Sequence, residues 1–300
     1  MAVMKTRRVT VPAMEALLGR TMPVLDHGFV RVVDYMGDDT AVVSAARVSY
    51  GRGTRRLSDD RGLIRYLMRH AHTTPFEMCE IKLHVKLPIF VARQWIRHRT
   101  ASVNEISGRY SILDREFYLP QHDVIGAQDE KNRQGRGAAL SASKARKFLG
   151  ILSRDALKAY DHYERFLGIK GVKGDKTTEK AVARELARIV LPLNYYTQWY
   201  WKTDLHNLLH FLALRLDSRA QFEIREYAKV IAGAVKRWVP LCWEAFVDYR
   251  LQALKLSRAE AAVVRSVLEG RDPRKAALGL SMRERAELKE SMGIDAPSDG

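Results

Sequence analysis

Cys79-Glu80-Ile81-Lys82-Leu83-His84-Val85-Lys86-Leu87-Pro88-Ile89-Phe90-Val91-Ala92-Arg93-Gln94-Trp95-Ile96-Arg97-His98-Arg99 decides the reading of this chain. Cys79, Ile81, Leu83, Val85 and Leu87 point one way, and Glu80, Lys82, His84 and Lys86 the other. Strict alternation over that length predicts a strand with one buried face. Pro88 then opens a helix to about His98, because proline is tolerated at a first helical position. Gln94 and Arg97 share a face of it, three residues apart. Arg97 to Arg99 fall at its end, where the helix dipole favours cations.

Downstream, Thr100 to Ser111 crowds Asn104, Glu105, Ser107, Gly108 and Arg109 into one short segment. Buried charges are costly unless paired, so this is not core. Asn104 to Ser111 reads as a loop. Arginine forks suit phosphate and flat carbonyl groups. Ser107-Gly108-Arg109 offers backbone N–H groups where an anion can come close. The chemistry points to a phosphorylated, flat, hydrogen-bonding ligand; a salt-bridged helix end followed by a loop is the plainer alternative.

Working outward, Gly28 to Tyr35 reads as a strand and Asp39 to Val48 as a short helix. Gly51 to Arg56 is a basic loop, and Ser58 can cap a helix running to His70. Residues 121–147 break from the core pattern: residues 131–158 hold eight Lys/Arg and one acid, Asp155. They read as a basic, mobile loop leading into a helix over 141–167. Thr177 can cap a helix through Ile189, which Pro192 ends. Asn194 to Lys202 is aromatic-rich and reads as a strand. Asp204 to Asp217 is a leucine-faced helix, with Asp204, Asn207 and Arg215 on an adjacent stripe. Two more helices follow over 220–238 and 240–251, then two charged ones over 257–269 and 281–292.

The chain has 300 residues, 46% hydrophobic and 29% charged, which is ordinary for a globular protein. No apolar run approaches the ~20 residues of a membrane span. Two cysteines, Cys79 and Cys242, make neither a disulfide framework nor a Cys-x-x-Cys metal site, so a reducing cytoplasm is expected. Cys79 on the apolar strand face reads as an inert core thiol. The nine histidines show no metal-ligand spacing. The net charge of +16 suits polyanions, either nucleic acid or small phosphorylated molecules. No nucleic-acid-binding signature accompanies it.

Arg97-His98-Arg99, seven residues, then Ser107 resembles the signature of the flavin-dependent thymidylate synthases (ThyX). Gln94-Trp95, the His70–Glu77 segment and Leu205 to Gln221 extend the resemblance over roughly 28–120 and 180–250. It implies an α+β fold, a central mixed β-sheet flanked by helices. Residues 1–27 would be an N-terminal extension, 28–254 the synthase domain with a basic insertion at about 121–147, and 255–300 a variable helical appendage. It implies reductive methylation of dUMP to dTMP, with FAD as cofactor, NADPH as reductant and 5,10-methylenetetrahydrofolate as carbon donor, and a homotetramer with active sites between subunits. By the same resemblance Thr74, Arg97, His98, Arg99, Glu105, Asp204, His206 and His210 contact flavin. Gln94, Arg97, Glu105, Ser107, Gly108, Arg109, Arg188 and Arg215 contact dUMP, and Arg215 stabilises charge on the pyrimidine. A flavoprotein without methyl transfer and a nucleic-acid-binding module are the competing classes; Arg215 together with Ser107-Gly108-Arg109 argues against both.

Overall fold

A computed structural model describes residues 8–48, 59–130, 135–169 and 181–295. The chain divides into two compact units, residues 1–246 and 247–300. The first is built on a five-stranded sheet in the order β1-β2-β3-β7-β4, with a separate β5–β6 hairpin. In chain order it runs α1 (Pro12–Glu15), β1 (Thr21–Val24), β2 (Gly28–Met36), α2 (Asp39–Arg47), α3 (Asp60–Arg69), β3 (Glu80–Pro88), α4 (Ile89–Trp95) and β4 (Ser102–Glu105). It continues with β5 (Gly126–Gln128), β6 (Arg136–Ala139), α5 (Ala142–Phe166), α6 (Arg184–Ala187), β7 (Tyr196–Asp204), α7 (Leu205–Arg215), α8 (Phe222–Trp238) and α9 (Pro240–Phe246).

β3 is the sheet's centre, as its alternation predicts. Ile81, Leu83, Val85 and Leu87 are buried. They stand in register with Thr203, Trp201, Trp199 and Thr197 of β7, all buried too, so one face is continuous core. α8 covers the core with Ile224, Tyr227, Ala228, Ile231, Val235 and Trp238. Tyr227 donates to Lys86 O at 2.6 Å and lies so close to Gly28 that a Cβ there would collide with its hydroxyl. Only glycine fits at that crossing. Asp39 of α2 accepts from Leu241 and Cys242 N–H, both at 2.9 Å, and so caps α9.

All four ladders of the central sheet are antiparallel, where a mixed sheet was expected. Among the described residues, parallel pairing is confined to the isolated Leu18–Val32 bridge. Residues before Gly28 supply the edge strand β1. Ser102–Glu105 is a strand, not loop, because β7 offers it a free edge. The basic 121–147 segment holds the β5–β6 hairpin before α5, with residues 131–134 outside the described set. Arg136 pins it, donating to Val124 O at 2.8 Å and pairing with buried Glu223 at 2.7 Å. Asp59 caps α3; Ser58, the Gly51–Arg56 loop and Thr177 lie outside the described residues. Among the described residues, the helix expected through Ile189 appears as α6 and a 3₁₀ turn, Arg188–Val190.

The second unit holds α10 (Arg258–Leu268), α11 (Arg274–Ala277) and α12 (Met282–Met292) around Val263, Ala277, Leu280 and Leu288. Ser257 with Glu260, and Ser281 with Glu284, form capping boxes. Among the described residues no helix is long and apolar enough to cross a membrane.

Candidate active site

The end of α4 is anchored by Trp95, which is fully buried. Its ring stacks on Phe211 of α7 at 4.6 Å and meets Trp199 and Trp201 edge-on. This ring cluster brings the turn after α4 against α7. Thr203 fixes the turn's far side, donating to Thr100 O at 3.0 Å. The result is a cleft of about 510 Å³ lined by Arg97, His98, Arg99, His206, His210 and Arg215. Arg97 and Arg99 are exposed at its rim.

His98 is half-buried and stands edge-on to Phe211 at 5.0 Å and His210 at 5.9 Å. Arg215 Nε donates to His98 Nε2 at 3.1 Å. The acceptor must be a lone pair, so His98 is neutral and carries its proton on Nδ1. Burial, then Arg215, then His210 push its pKa down to about 4. Burial also lowers the Arg215 pKa, though a guanidinium remains charged. With Nε committed, the rest of the Arg215 fork is free to face a ligand.

Asp204 caps α7, accepting from Asn207 N–H at 2.9 Å and Asn207 Nδ2 at 2.7 Å. Both carboxylate oxygens are thereby engaged locally, and Asn207 rather than Asp204 lines the cleft. Thr100, Trp201, Thr203, Asn207 and Leu214 complete the lining and were absent from the sequence-derived set. Asn207 carried a signal, one helical turn before His210. Thr74 is exposed at the start of a 3₁₀ turn, Thr74–Met78, beside α7. Gln94 is half-buried on α4, and its Oε1 has no hydrogen-bond partner.

A second group gathers past the other end of β4. Glu105 accepts from Thr197 Oγ1 at 2.6 Å. Ser107 turns the chain: its Oγ accepts from Arg109 N–H at 3.3 Å and its carbonyl from Tyr110 N–H at 3.1 Å. Gly108 is buried where a Cβ would meet Leu113 at 3.0 Å and Arg188 at 3.2 Å. That close approach sets Arg188 beside Ser107-Gly108-Arg109. Arg184 Nη1 donates to Tyr110 O at 2.7 Å and holds α6 against the loop. Arg109 reaches Glu185 at 3.5 Å, but both are more than half exposed, so the pair adds little stability. Ser107, Arg109 and Arg188 thus form a shelf. Between shelf and cleft runs β4, about 10 Å long by strand rise. Among the described residues, the lining of the cleft includes none of the shelf residues.

The sequence profile of a family described as "Thymidylate synthase complementing protein" matches residues 31–241. A flavin-dependent thymidylate synthase of Ruegeria pomeroyi is 57% identical over 288 residues, 96% of this chain and 93% of that one. The chain belongs to the flavin-dependent thymidylate synthase family. A second flavin-dependent thymidylate synthase, from Gluconobacter oxydans, is 61% identical over 283 residues, 94% of this chain and 91% of its own. With 96% of this chain covered, the Ruegeria match extends into residues 247–300. Among solved structures, a UMP/dUMP methylase, PolB, from Streptomyces cacaoi bound with 5-Br UMP superposes with a TM-score of 0.66. It is 33% identical and covers 77% of this chain and 98% of its own.

Proposed function

We propose that this enzyme methylates dUMP to dTMP with FAD as cofactor, 5,10-methylenetetrahydrofolate as carbon donor and NADPH as reductant. The observation that carries the reading is Arg215, held in the cationic cleft by neutral His98. Methylation at C5 of a uracil ring needs negative charge to build on the ring carbonyls. A permanently charged fork aimed at that oxygen stabilises it as an oxyanion hole does, by about 3 kcal/mol or 10²–10³ in rate. A cysteine attached to C6 is the other route, and the thiols oppose it. Both are buried; burial pushes Cys79 up to about 12 and Cys242 well above its ordinary value.

The cleft fits FAD. Arg97 and Arg99 present exposed cations that no carboxylate among the described residues neutralises, as a diphosphate requires. Thr74, Arg97, His98, Arg99, Glu105, Asp204, His206 and His210 would hold it, Asp204 through Asn207. When bound, the flavin supplies the hydride. Ser107, Gly108, Arg109 and Arg188 hold the dUMP phosphate side, with Gln94 and Glu105 toward the base. His98 does not transfer a proton near neutral pH; it orients Arg215.

The working unit is a homotetramer with sites between subunits. Two facts support this. Cleft and shelf lie at opposite ends of β4, and the shelf is bordered by exposed Ile106, Tyr110, Ile112, Leu186, Ile189 and Leu193, an apolar patch of the kind that docks a second chain. The compartment is the reducing cytoplasm, which suits two free thiols. The test is direct. Purified protein given FAD should show flavin absorption bands, form dTMP from dUMP with the folate and NADPH, and scatter light as four chains. FAD-loaded protein that oxidises NADPH yet forms no dTMP would reduce the reading to a flavoprotein reductase. A monomer with full turnover would remove the shared site.

A further inference from the structure

β7 turns Thr197, Trp199, Trp201 and Thr203 to the core, each of them buried. Threonines therefore stand at both ends of an otherwise aromatic row. A hydroxyl in such a place is costly unless it is hydrogen-bonded. Both hydroxyls reach the segment that β7 carries at its edge. Thr203 Oγ1 donates to Thr100 O at 3.0 Å, just before β4 begins. Thr197 Oγ1 donates to Glu105 Oε1 at 2.6 Å, on the last residue of β4.

The second bond is not needed to hold the fold. Thr197 is 3% exposed, too deep to touch a ligand itself. Glu105 is exposed, so water would solvate its carboxylate equally well. Valine has the same branched shape and would suit the apolar row better. Main-chain bonds already join β4 to β7, and Ile106 N–H continues them, donating to Gln198 O at 2.9 Å. What the hydroxyl adds is a direction for one side chain. A glutamate exposed on an edge strand spreads over several rotamers. A charge-assisted bond to one oxygen selects among them, and it leaves Oε2 without a partner among the described residues.

We propose that Thr197 is a positioning residue of the dUMP site: by holding Oε1 it aims Oε2 of Glu105 at a hydrogen-bond donor of the nucleoside. This rests on the assignment of Glu105 to that site. An ionised carboxylate only accepts, and it repels a phosphate, so its partner is an N–H of the base or a hydroxyl of the sugar. The place agrees. Glu105 lies along the chain between Thr100, which lines the cleft, and the Ser107–Arg109 turn assigned to the phosphate. Misplacing a group by about 1 Å in such a site costs up to about 10²-fold in rate. The packing of Thr197 is a separate matter, since valine keeps it.

The test is a double-mutant cycle in kcat/KM for dUMP, with the dUMP Kd of the FAD-loaded protein from isothermal titration calorimetry. Thr197→Val should lower kcat/KM about tenfold or more and raise the dUMP Kd, with the thermal midpoint unchanged or higher. Thr197→Ser keeps the donor and should stay within about twofold of wild type. Glu105→Ala should lose more, and adding Thr197→Val to it should cost nothing further, because the hydroxyl acts only through that carboxylate. If the valine variant does not fold, Thr197→Ala takes its place in the cycle. An equal loss with and without Glu105 would make Thr197 a packing residue and overturn the proposal. So would wild-type kcat/KM in a folded Thr197→Val protein, or a serine variant as impaired as the valine one. Wild-type protein that binds no dUMP would refute the functional reading, and the proposal with it; the other three results refute the proposal alone.

Discussion

Replacing His98 with glutamine separates one titration from all others in the chain. Glutamine Oε1 can accept from Arg215 Nε as His98 Nε2 does, but it carries no proton equilibrium. In the folded chain the imidazole is held at about 4 against an ordinary 6.5, with burial the chief cause, then Arg215, then His210. Above pH 6.5 both folded and unfolded forms are neutral. Between 6.5 and 4 the unfolded chain takes up a proton that the folded chain refuses, so stability falls as pH drops through that window and levels off below it. Fully realised, the difference is about 3.4 kcal/mol at 1.36 kcal/mol per tenfold. The ring is only half-buried, and solvent screening cuts this to about 1–2 kcal/mol. Urea unfolding at pH 7.5 and 4.5 measures it. The wild type should lose about 1–2 kcal/mol more than His98→Gln between those two points. The two proteins losing equal stability would mean that His98 titrates normally and that Arg215 does not bond to its lone pair.

Arg215→Ala should lower kcat about 10²–10³-fold, because ring charge peaks in the transition state, while Arg109→Ala should chiefly raise the dUMP Kd, since a phosphate contact acts in ground and transition states alike. Steady-state kinetics with dUMP titrations distinguish them, and equal affinity losses with kcat intact would remove Arg215 from its role. The Cys79→Ala, Cys242→Ala double variant should retain dTMP formation and lose about 1 kcal/mol of packing per site; a folded but inactive double variant would reinstate a thiol nucleophile. Arg136→Ala leaves Glu223 buried without its cation. Breaking a fully buried pair costs about 3–5 kcal/mol, but Arg136 is a third exposed, so about 2 kcal/mol is expected. Adding Glu223→Gln should recover part of that in thermal melts, and no recovery would show that the charge is not the issue.

What the sequence disclosed follows physical range. β3 and α4 were legible because their signals are local: alternation across Cys79–Leu87 and a proline at the turn. α7 showed through its leucine spacing, and the two charged helices after residue 255 through their composition, though their capping boxes were not read from it. β4 was not legible, since all four of its side chains are exposed and only the edge of β7, about a hundred residues later, makes it a strand. The β5–β6 hairpin hid for the same reason, as Arg136 finds Glu223 far downstream. The residue types of the cleft could be named from one short stretch around Arg97. The Arg215–His98 bond, and with it the protonation state of His98, exists only once α7 packs on Trp95.

The strand order sets a timetable for synthesis. β7 fills the slot between β3 and β4, yet about 116 residues separate Pro88 from Asp204. At ~5–20 residues per second, a nascent chain displays β3 with one bare edge for roughly 6–23 s before its second neighbour is made. That edge belongs to an alternating apolar strand, the kind that pairs with whatever strand is at hand. Slow translation between codons 88 and 204 therefore lengthens the period in which a chaperone, or another nascent chain, can occupy the place kept for β7.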